Sequence, residues 1–510
     1  METMVLAGRR EWIGLAALML PLLLVSMDVS VLFFAVPFIN ADLEPTSTQQ
    51  LWIFDIYGFV LAGLLITMGS LGDRIGRRRL LMLGAAAFGL ASVLAAYAAS
   101  AELLIAARAL LGIGGATLMP STIALIRNMF HDEKQRAIAI SIWTAGLTFG
   151  VSLGPILSGV LLEHYWWGSV FLINLPAMAL LLLTAPVLIP EFRNPEPGRF
   201  DLVSSALSMA AVLPVIYAIK DIAADGIGPA NLALIVAGCL VGAVFLRRQH
   251  TRPDPMIDLT LFRRRKFSGA MVLNVVSVFV LIGFAIFTTQ YLQSVLGMRP
   301  LEAALWSLVA AIGVGLAAPV VAGLGHRGVN RAHLVGASFT VSAAGLVVLT
   351  TTEAESSVWP VLIGAALMSG GLVAGMSQIA ELIMGDTPPE RAGSVGAVLE
   401  TASEFGGALG IAVLGSIGTA VYRTEVAEHL PAGLPAGAAA VARETLGGAV
   451  MLAGELPAGT GGALTAAARA AFLDGMHLAA VIAAAILVVT AAGTVVAARK
   501  FDRKVDNTVR

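Results

Sequence analysis

Apolar residues occur along this chain in long runs, separated by short segments rich in Arg, Asp, Gly and Pro. Each run is about 20 residues long, the length that an α-helix needs to cross the roughly 30 Å hydrocarbon core of a bilayer. The pattern predicts fourteen transmembrane helices. Their expected limits are 12–39, 51–71, 79–99, 103–126, 137–162, 168–189, 202–220, 230–246, 268–291, 301–322, 332–350, 357–384, 393–422 and 474–498.

The composition agrees with an integral membrane protein. Hydrophobic residues make up 57% of the 510 residues and charged residues only 13%, whereas soluble domains are about 25% charged. A net charge of −1 argues against a nucleic-acid partner. The first apolar run, 12–39, is too long for the apolar region of a signal peptide and ends without a small-residue cleavage site, so we interpret it as the first membrane span.

Basic residues predict the orientation. With the N-terminus in the cytoplasm, 26 of the 32 Lys and Arg residues fall in cytoplasmic segments, five fall in outer loops, and Arg108 lies within a span. An excess of Lys and Arg marks the cytoplasmic side of membrane proteins. We therefore expect a multi-pass protein of the plasma membrane with both termini in the cytoplasm.

An internal repeat organises the predicted helices. GSLGDRIGRRRLL (69–81), between helices 2 and 3, matches AGLGHRGVNRAHL (322–334), between helices 10 and 11, at an offset of 253 residues. Helices 1–6 and 9–14 then form two parallel six-helix bundles, with helices 7 and 8 inserted between them. Paired repeats around a central cavity are typical of transporters that work by alternating access.

This plan predicts an order of segments along the chain. They are an N-terminal bundle (1–200), two inserted helices (201–250), a cytoplasmic linker (251–267), a C-terminal bundle (268–498) with a long outer loop (423–473), and a cytoplasmic tail (499–510). Within the outer loop, 436–453 and 461–472 have a helical composition. We expect a helical hairpin there; a mobile linker is the alternative.

Four carboxylates and one arginine lie within or beside predicted spans, where charge is costly. Asp28 lies in helix 1, and Asp55 lies near the outer end of helix 2. Glu400 and Glu404, four residues apart, share one face of helix 13 and should face the central cavity. Arg108 in helix 4 needs a buried partner, which Asp28 or carboxylates of the opposite half could supply. Asp55 could instead cap the helix at the interface, and Arg108 could extend to the outer interface.

Two glycine motifs predict close helix packing. In the turn after helix 2, Asp73 can pair with an Arg of a neighbouring helix end and latch an inner gate, whose residues are Gly69, Gly72, Asp73, Arg74, Gly76, Arg77 and Arg78. In helix 5, glycines spaced by four residues allow two backbones to approach, and Pro155 bends the helix. The residues of this second motif are Gly146, Gly150, Gly154, Pro155 and Gly159.

Together these motifs resemble the major facilitator superfamily. SMDVSVLFFAVPFI, WIFDIYGF, GVSLGPILSG, WWGSVFLINLP and LETASEFGGALG are similar to segments of its fourteen-helix drug:proton antiporters, and most similar to multidrug exporters of the QacA, SmvA and LfrA kind. The resemblance covers nearly the whole chain. It implies a major facilitator fold in a bacterial cell membrane, with proton coupling or cation recognition at Asp28, Asp55, Glu400 and Glu404. Some relatives carry a further acid in helix 10 that supports a preference for divalent cations, whereas LWSLVAAIGVGLAAPVVAGL in this chain contains no acid.

The resemblance implies a function in multidrug efflux. The expected substrates are lipophilic, mainly cationic compounds, such as quaternary ammonium compounds and ethidium, and extend to fluoroquinolones. Protons and membrane lipids are the other expected partners, and we expect a monomer, no metal and no cofactor, since the proton gradient drives export. Candidate pocket residues are Met27, Phe33, Phe34, Tyr57, Phe149, Phe284 and Tyr291.

Other functions fit the residues less well. An ATP-driven pump would need a phosphate-binding loop of the form G-x-x-x-x-G-K-[ST], which the chain lacks. A membrane enzyme or sensor would need a catalytic or metal-ligand cluster, and the motifs contain none. The alternative that stays open is a major facilitator transporter for another solute, such as an organic anion, a sugar or a siderophore.

Overall fold

The computed structural model describes residues 7–193, 201–225, 228–252, 255, 259–354, 357–385, 392–431 and 434–509. Within these ranges the regular structure is entirely helical, with eighteen α-helices and no strand. The prediction of an all-α protein is therefore confirmed. The chain divides into two compact units. The first consists of Met1–Ala218 and Gly228–Ile257, and the second consists of Ile219–Ile227 and Asp258–Arg510.

The first unit is built from nine helices, α8 extending a few residues past its boundary. They are α1 (Arg9–Leu43), α2 (Ser47–Ile75), α3 (Arg77–Ala96), α4 (Ala101–Met129), α5 (Glu133–His164), α6 (Ser169–Leu172), α7 (Asn174–Leu188), α8 (Leu202–Asp225) and α9 (Pro229–Thr251). Polar side chains cap several of them. Thr46, Ser100 and Asp132 accept hydrogen bonds from the first turns of α2, α4 and α5, which satisfies backbone donors that would otherwise lack partners.

The second unit contains the remaining helices. They are α10 (Arg265–Gln290), α11 (Pro300–His326), α12 (Arg331–Leu349), α13 (Trp359–Gly385), α14 (Ala392–Gly410), α15 (Ser416–Glu428), α16 (Ala436–Glu444), α17 (Leu446–Glu455) and α18 (Ala458–Val509). Two short π-helical segments follow α10 and α14, at Tyr291–Val295 and Ile411–Gly415. The starts of α2 and α11 and the ends of α3 and α12 are each 253 residues apart, the offset of the sequence repeat.

Eleven helices among the described residues are long and apolar enough to cross a membrane, and a bent pair in α2 makes twelve. The predicted spans 137–162 and 202–220 are covered by α5 and α8, whose apolar stretches are shorter, Phe149–His164 and Leu202–Val215. The chain is thus a multi-pass membrane protein. The count of fourteen spans stays a prediction.

Glycines bring helix backbones into contact in both units, as the pairs α1–α5 and α10–α14 illustrate. In α5, a Cβ on Gly150 would lie 2.9 Å from the carbonyl oxygen of Leu23 in α1. In α14, a Cβ on Gly410 would lie 2.1 Å from the carbonyl oxygen of Phe279 in α10. Real Cβ atoms do not approach this closely, so neither position has room for a side chain.

The inserted helices α8 and α9 are joined at one end by a charged cluster. The Asp201 carboxylate accepts hydrogen bonds from Arg248 at 3.0 Å and Arg252 at 2.7 Å. Partial burial raises the pKa of Asp201, but hydrogen bonds from Ser204 and Arg248 outweigh burial and hold this pKa below its ordinary value. Along α8, the Ser205 hydroxyl bonds to Thr67 of α2, so the inserted pair is fixed to the first unit.

The long segment 423–473 differs from the predicted hairpin in two ways. Its first expected helix, 436–453, is split at Thr445 into α16 and α17, and Thr445 caps α17 by accepting from the amide of Gly448 at 3.1 Å. Its second expected helix, 461–472, is the beginning of α18, which continues without a break through the last predicted span. The Tyr422 hydroxyl donates to the carbonyl of Ala442 at 2.8 Å and ties this segment to α15.

Candidate functional site

Two charged residues meet in the middle of the first unit. The Arg108 guanidinium in α4 donates to the Asp28 carboxylate in α1. Both are almost fully buried, since 1% of Arg108 and 6% of Asp28 is exposed. Among the partners that the sequence left open for Arg108, the structure selects Asp28.

Arg108 also binds the backbone of α2. Its Nε donates to the carbonyl of Ile53 at 3.0 Å, and its Nη2 donates to the carbonyl of Phe54 at 3.4 Å. Near these residues α2 bends by 47°, between the segments Thr48–Phe54 and Ile56–Leu65. Helices kink where a side chain takes over part of the backbone hydrogen bonding. The bend therefore supplies two carbonyl acceptors for the buried guanidinium.

The third member of the site is Tyr57, which also belongs to α2. The Arg108 guanidinium carbon lies 4.8 Å from the centre of the Tyr57 ring, within the range of a cation–π interaction. The Tyr57 hydroxyl donates to the carbonyl of Val25 in α1 at 3.4 Å. We call Asp28, Tyr57 and Arg108 the charged triad; it joins α1, α2 and α4.

Glycines in α4 make room for the triad. A Cβ on Gly112 would lie 2.7 Å from the carbonyl oxygen of Tyr57, and a Cβ on Gly115 would lie 3.1 Å from the Tyr57 hydroxyl. The GIGG sequence after Arg108 is therefore a packing feature that lets α4 reach α2, as helix interfaces in membranes often require. It does not belong to a dinucleotide-binding loop, since it lies inside a helix.

A change of one charge in the triad changes the net charge of a buried site. An ion pair buried in a low-dielectric medium is tolerated because its charges cancel, while removing one partner of such a pair costs about 3–5 kcal/mol. Protonation of Asp28 would have the same electrostatic effect as removing it, because it leaves the Arg108 charge uncompensated. Charged groups inside membrane spans are typical of proton and ion pathways.

The other acidic candidates occupy helices, but their side chains lie outside the described part of the structure. Asp55 is in α2, next to the bend, and two residues before Tyr57. Glu400 and Glu404 are in α14. Their roles stay predictions.

Most of the candidate pocket residues are buried in the packing of their own unit. Phe33 stacks on Phe54 at 5.3 Å between ring centres, next to the backbone that Arg108 binds. Tyr291 donates to the carbonyl of Glu353 at 2.9 Å. Phe149, by contrast, is 59% exposed on α5. The remaining candidates, Met27, Phe34, Tyr57 and Phe284, are buried.

The predicted inner-gate motif forms the junction of α2 and α3. Most of it is helical, and the only break is Gly76, whose φ of 111° disfavours residues other than glycine. Asp73 pairs with Arg77 at 2.5 Å. Gly69, Gly72 and Arg74 lie in the last turns of α2, and Arg78 opens α3.

Sequence reasoning missed Glu191, which caps this junction. Its carboxylate accepts from the backbone amides of Arg78 at 3.0 Å and Arg79 at 3.3 Å. An acid is stabilised at a helix N-terminus by the unpaired amides and the helix dipole. The available signal was an acid directly after the sixth predicted span, but nothing in the sequence connects it with a helix that begins 114 residues earlier.

The predicted antiporter motif faces α1 inside the first unit. A Cβ on Gly146 would meet the Met19 side chain, and a Cβ on Gly154 would lie 3.1 Å from the carbonyl oxygen of Met27. Met27 directly precedes Asp28, so this stripe packs on the backbone that carries the triad acid. Pro155 and Gly159 continue the same helix.

Comparison with known proteins gives a consistent result. The family profile described as Major Facilitator Superfamily matches residues 18–411. The chain is 44% identical to the multidrug efflux pump LfrA of Mycolicibacterium smegmatis, with 96% of this chain and 97% of LfrA covered. It is 34% identical to the methyl viologen resistance protein SmvA of Salmonella typhimurium, with 97% and 100% covered.

A solved structure shows the same fold at low sequence identity. The crystal structure of a bacterial homologue of the human lysosomal transporter Spinster, inward-facing and occupied, aligns with a TM-score of 0.64 at 21% identity. The alignment covers 97% of this chain and 98% of that one.

Proposed function

The chain belongs to the major facilitator superfamily, and we propose that it is a drug efflux transporter driven by proton antiport. Relatives that align over nearly the whole chain are named as a multidrug efflux pump and a methyl viologen resistance protein. The observation that carries the proton coupling is the buried pair of Asp28 and Arg108. Transport by alternating access requires no cofactor, because the proton gradient supplies the energy.

The charge of the triad makes protons and cations compete. With Asp28 ionised, the pair with Arg108 is neutral, so the site accepts one further positive charge. A proton on Asp28 leaves the positive charge of Arg108 uncompensated. A drug cation nearby would then place a second positive charge beside Arg108. At 4 Å and an effective dielectric constant of 20, their repulsion is about 4 kcal/mol, which corresponds to about a thousandfold. Binding of one therefore displaces the other, and this displacement is the coupling.

The energy of export sets the number of protons. Export against a thousandfold gradient costs about 4.1 kcal/mol. Exchange of one proton for one monovalent cation moves no net charge and gains nothing from the membrane potential. A second proton adds about 2.3 kcal/mol per 100 mV. We therefore propose at least two protons per cation, which a second acid besides Asp28 would have to carry.

The substrates we propose are lipophilic cations, including quaternary ammonium compounds and ethidium. Glu400 and Glu404 would attract them, and the aromatic and Met residues of the sequence candidates would bind their apolar parts. We further propose that the protein works as a monomer in the bacterial cell membrane, surrounded by lipid, with both termini in the cytoplasm.

Replacement of Asp28 by Asn tests the proposal. Asn has nearly the same shape as Asp but cannot ionise, so Asp28→Asn should abolish ethidium export that a protonophore inhibits. The measurement is dye efflux from cells and from vesicles, at matched expression. The control is Asp42→Asn. Asp42 is an exposed residue of the same helix, and its carboxylate accepts a hydrogen bond from the indole N–H of Trp167 at 2.6 Å. The control should keep most of the wild-type rate.

Two results would contradict the proposal. If Asp28→Asn exports the dye at the wild-type rate and stays sensitive to the protonophore, Asp28 is not the coupling residue. If a protonophore leaves wild-type export unchanged, the transporter is not driven by protons.

A further inference from the structure

Tyr57 contacts Arg108 in a way that the export cycle described above does not use. Its ring faces the guanidinium at 4.8 Å, and only 2% of Tyr57 is exposed. Its sequence pattern suggested a place in the substrate pocket. A side chain so deeply buried against a charge is better suited to act on that charge.

The ring is held in position from three sides. It belongs to α2, its hydroxyl donates to Val25 in α1, and Gly115 of α4 leaves just enough space for the hydroxyl. Val25 lies three residues before Asp28 on the same helix. The distance between the ring and Arg108 is therefore set by the helices that carry the triad.

The charge of Arg108 needs a partner in both states of Asp28. Arginine stays protonated in proteins, so protonation of Asp28 leaves a buried guanidinium without its counter-ion. The carbonyls of Ile53 and Phe54 solvate part of it. The Tyr57 ring offers a negative π face that needs no proton and carries no net charge.

We propose that Tyr57 is a positioning residue that holds the Arg108 guanidinium on its ring face while Asp28 is protonated. The ring contact is present while the pair is closed. Because a protonated Asp28 no longer competes for the guanidinium charge, the contact is stronger in that state, and the difference makes Asp28 easier to protonate and allows the ion pair to open. This inference rests on the proposed function, because proton coupling at Asp28 is what gives the open state a use. A cation–π contact of this kind corresponds to roughly a threefold to tenfold increase in the proton affinity of Asp28.

The helices packed against α1 carry several other charged groups. Glu102 accepts from Gln49 in the first turn of α4. In α5, the residues that face α1 beside Asp28 are the uncharged Gly150 and Gly154, and α6 and α7 carry no titratable residue. The remaining groups are Asp55, whose side chain is not described, Asp73 and Arg74 in α2, Arg127 in α4, and Glu133, Lys134, Arg136, Glu163 and His164 in α5.

The test uses the full-length protein in lipid nanodiscs and reads Asp28 directly. Infrared titration follows the protonated carboxyl band, assigned to Asp28 by its loss in Asp28→Asn. In Tyr57→Leu the midpoint pH of this band should fall by about 0.5–1 unit, which is the threefold to tenfold loss of proton affinity. Tyr57→Phe keeps the ring and loses only the hydroxyl, so its midpoint should stay at the wild-type value.

A graded series separates the π face from packing. Phenylalanine, 4-fluorophenylalanine and 3,4,5-trifluorophenylalanine at position 57 have nearly the same shape, but fluorine progressively weakens the negative face of the ring. We expect the midpoint to fall in this order. This series also serves if Tyr57→Leu fails to fold, since every member fills the same space.

Three outcomes would overturn the inference. They are no band in the wild type that Asp28→Asn removes, equal midpoints across the fluorinated series, and a shift in Tyr57→Phe as large as in Tyr57→Leu. The last would assign the effect to the hydroxyl bond with Val25. Dye export measured in parallel keeps the two proposals apart. A graded shift of the midpoint without proton-driven export would contradict the proposed function alone. Normal proton-driven export without the shift would contradict the role of Tyr57 alone.

Discussion

The helix pair α2–α4 of the first unit and the pair α11–α13 of the second occupy matching places in the repeat, yet they are held together differently. An offset of 253 residues aligns Tyr57 with Ala310 and Arg108 with Val361. In the first pair, an arginine binds two carbonyls and a tyrosine ring. In the second, the described contacts are made by neutral residues, among them small residues and the edge-to-face rings of Trp306 and Trp359 at 5.9 Å between ring centres.

The neutral pair is packed more simply. The Ser369 hydroxyl of α13 reaches the carbonyl of Ala310 at 3.3 Å. A Cβ on Gly313 of α11 would lie 2.5 Å from the carbonyl oxygen of Ala366. At the position that matches Asp28, α10 carries Leu281. The first pair therefore holds a buried charge, whereas these contacts of the second pair are made between neutral residues.

The largest expected effect comes from breaking the charged pair. Arg108→Leu leaves the Asp28 carboxylate buried without its cation, and should lower the free energy of unfolding by about 3–5 kcal/mol. The matched change in the second unit, Val361→Leu, adds one methylene group to a buried apolar site and should cost less, about 1–3 kcal/mol. Thermal unfolding of the purified proteins in detergent measures both.

A double variant checks the cause. Arg108→Leu combined with Asp28→Leu removes both charges, so it should recover most of the lost stability while transport stays absent. A double variant as unstable as Arg108→Leu alone would show that lost packing, and not the unpaired carboxylate, is responsible.

A smaller and more selective effect should follow changes to the acids of the second unit. If Glu400 and Glu404 attract substrate, Glu400→Gln and Glu404→Gln should each reduce export of cations about tenfold, which is about 1.4 kcal/mol, and barely affect neutral compounds. The assay compares efflux of a cationic and a neutral dye. Glu381→Gln is the control, since Glu381 forms a half-exposed pair with Arg331 at 2.9 Å in the same unit. Equal losses for both dyes would point to a proton or folding role instead.

The smallest expected effect is a difference in stability between alanine substitutions in the two turns of the repeat. Gly76 and Gly328 both have positive φ, 111° and 87°, so Ala at either position should cost about 1–3 kcal/mol in backbone strain. A Cβ on Gly76 would also lie 2.6 Å from the Glu191 carboxyl carbon, whereas nothing lies within 4 Å of one on Gly328. Gly76→Ala should therefore lose about 1 kcal/mol more in thermal unfolding than Gly328→Ala. In a Glu191→Ala background, Gly76→Ala and Gly328→Ala should lose equal stability. If Gly76→Ala still loses more, the clash with Glu191 is not the source of the difference.

Apolar periodicity predicted most of the fold because membrane spans must be long and continuous. The helix starts at Ser47 and Pro300 and the ends at Ala96 and Leu349 follow the predicted repeat. The outer segment was predicted less well. The segment 454–462 (GELPAGTGG) lies between the two helices expected there, and the helix is interrupted within it, between Glu455 and Ala458. The next helix, α18, starts earlier than the expected 461 and includes three of the glycines, since tertiary contacts outweigh the roughly 1 kcal/mol helix propensity penalty of each glycine.

The charged triad could be predicted only in part. Burial cost identified Asp28 and Arg108 as unusual, but several carboxylates could have paired with Arg108. The bend in α2 and the π contact with Tyr57 depend on how α1, α2 and α4 meet, which a single sequence does not contain. Glu191 was missed for the same reason, since its partners are backbone amides of a distant helix.

The length of α18 has a practical consequence for imaging this small membrane protein. Its apolar stretch ends at Ala497, but the helix continues for twelve residues to Val509, about 18 Å at 1.5 Å per residue. A rigid fusion partner joined in helical register to this extension would have no flexible linker. Such a handle would give electron microscopy a fiducial that moves with the second unit, and would make helix rotation visible at the periphery.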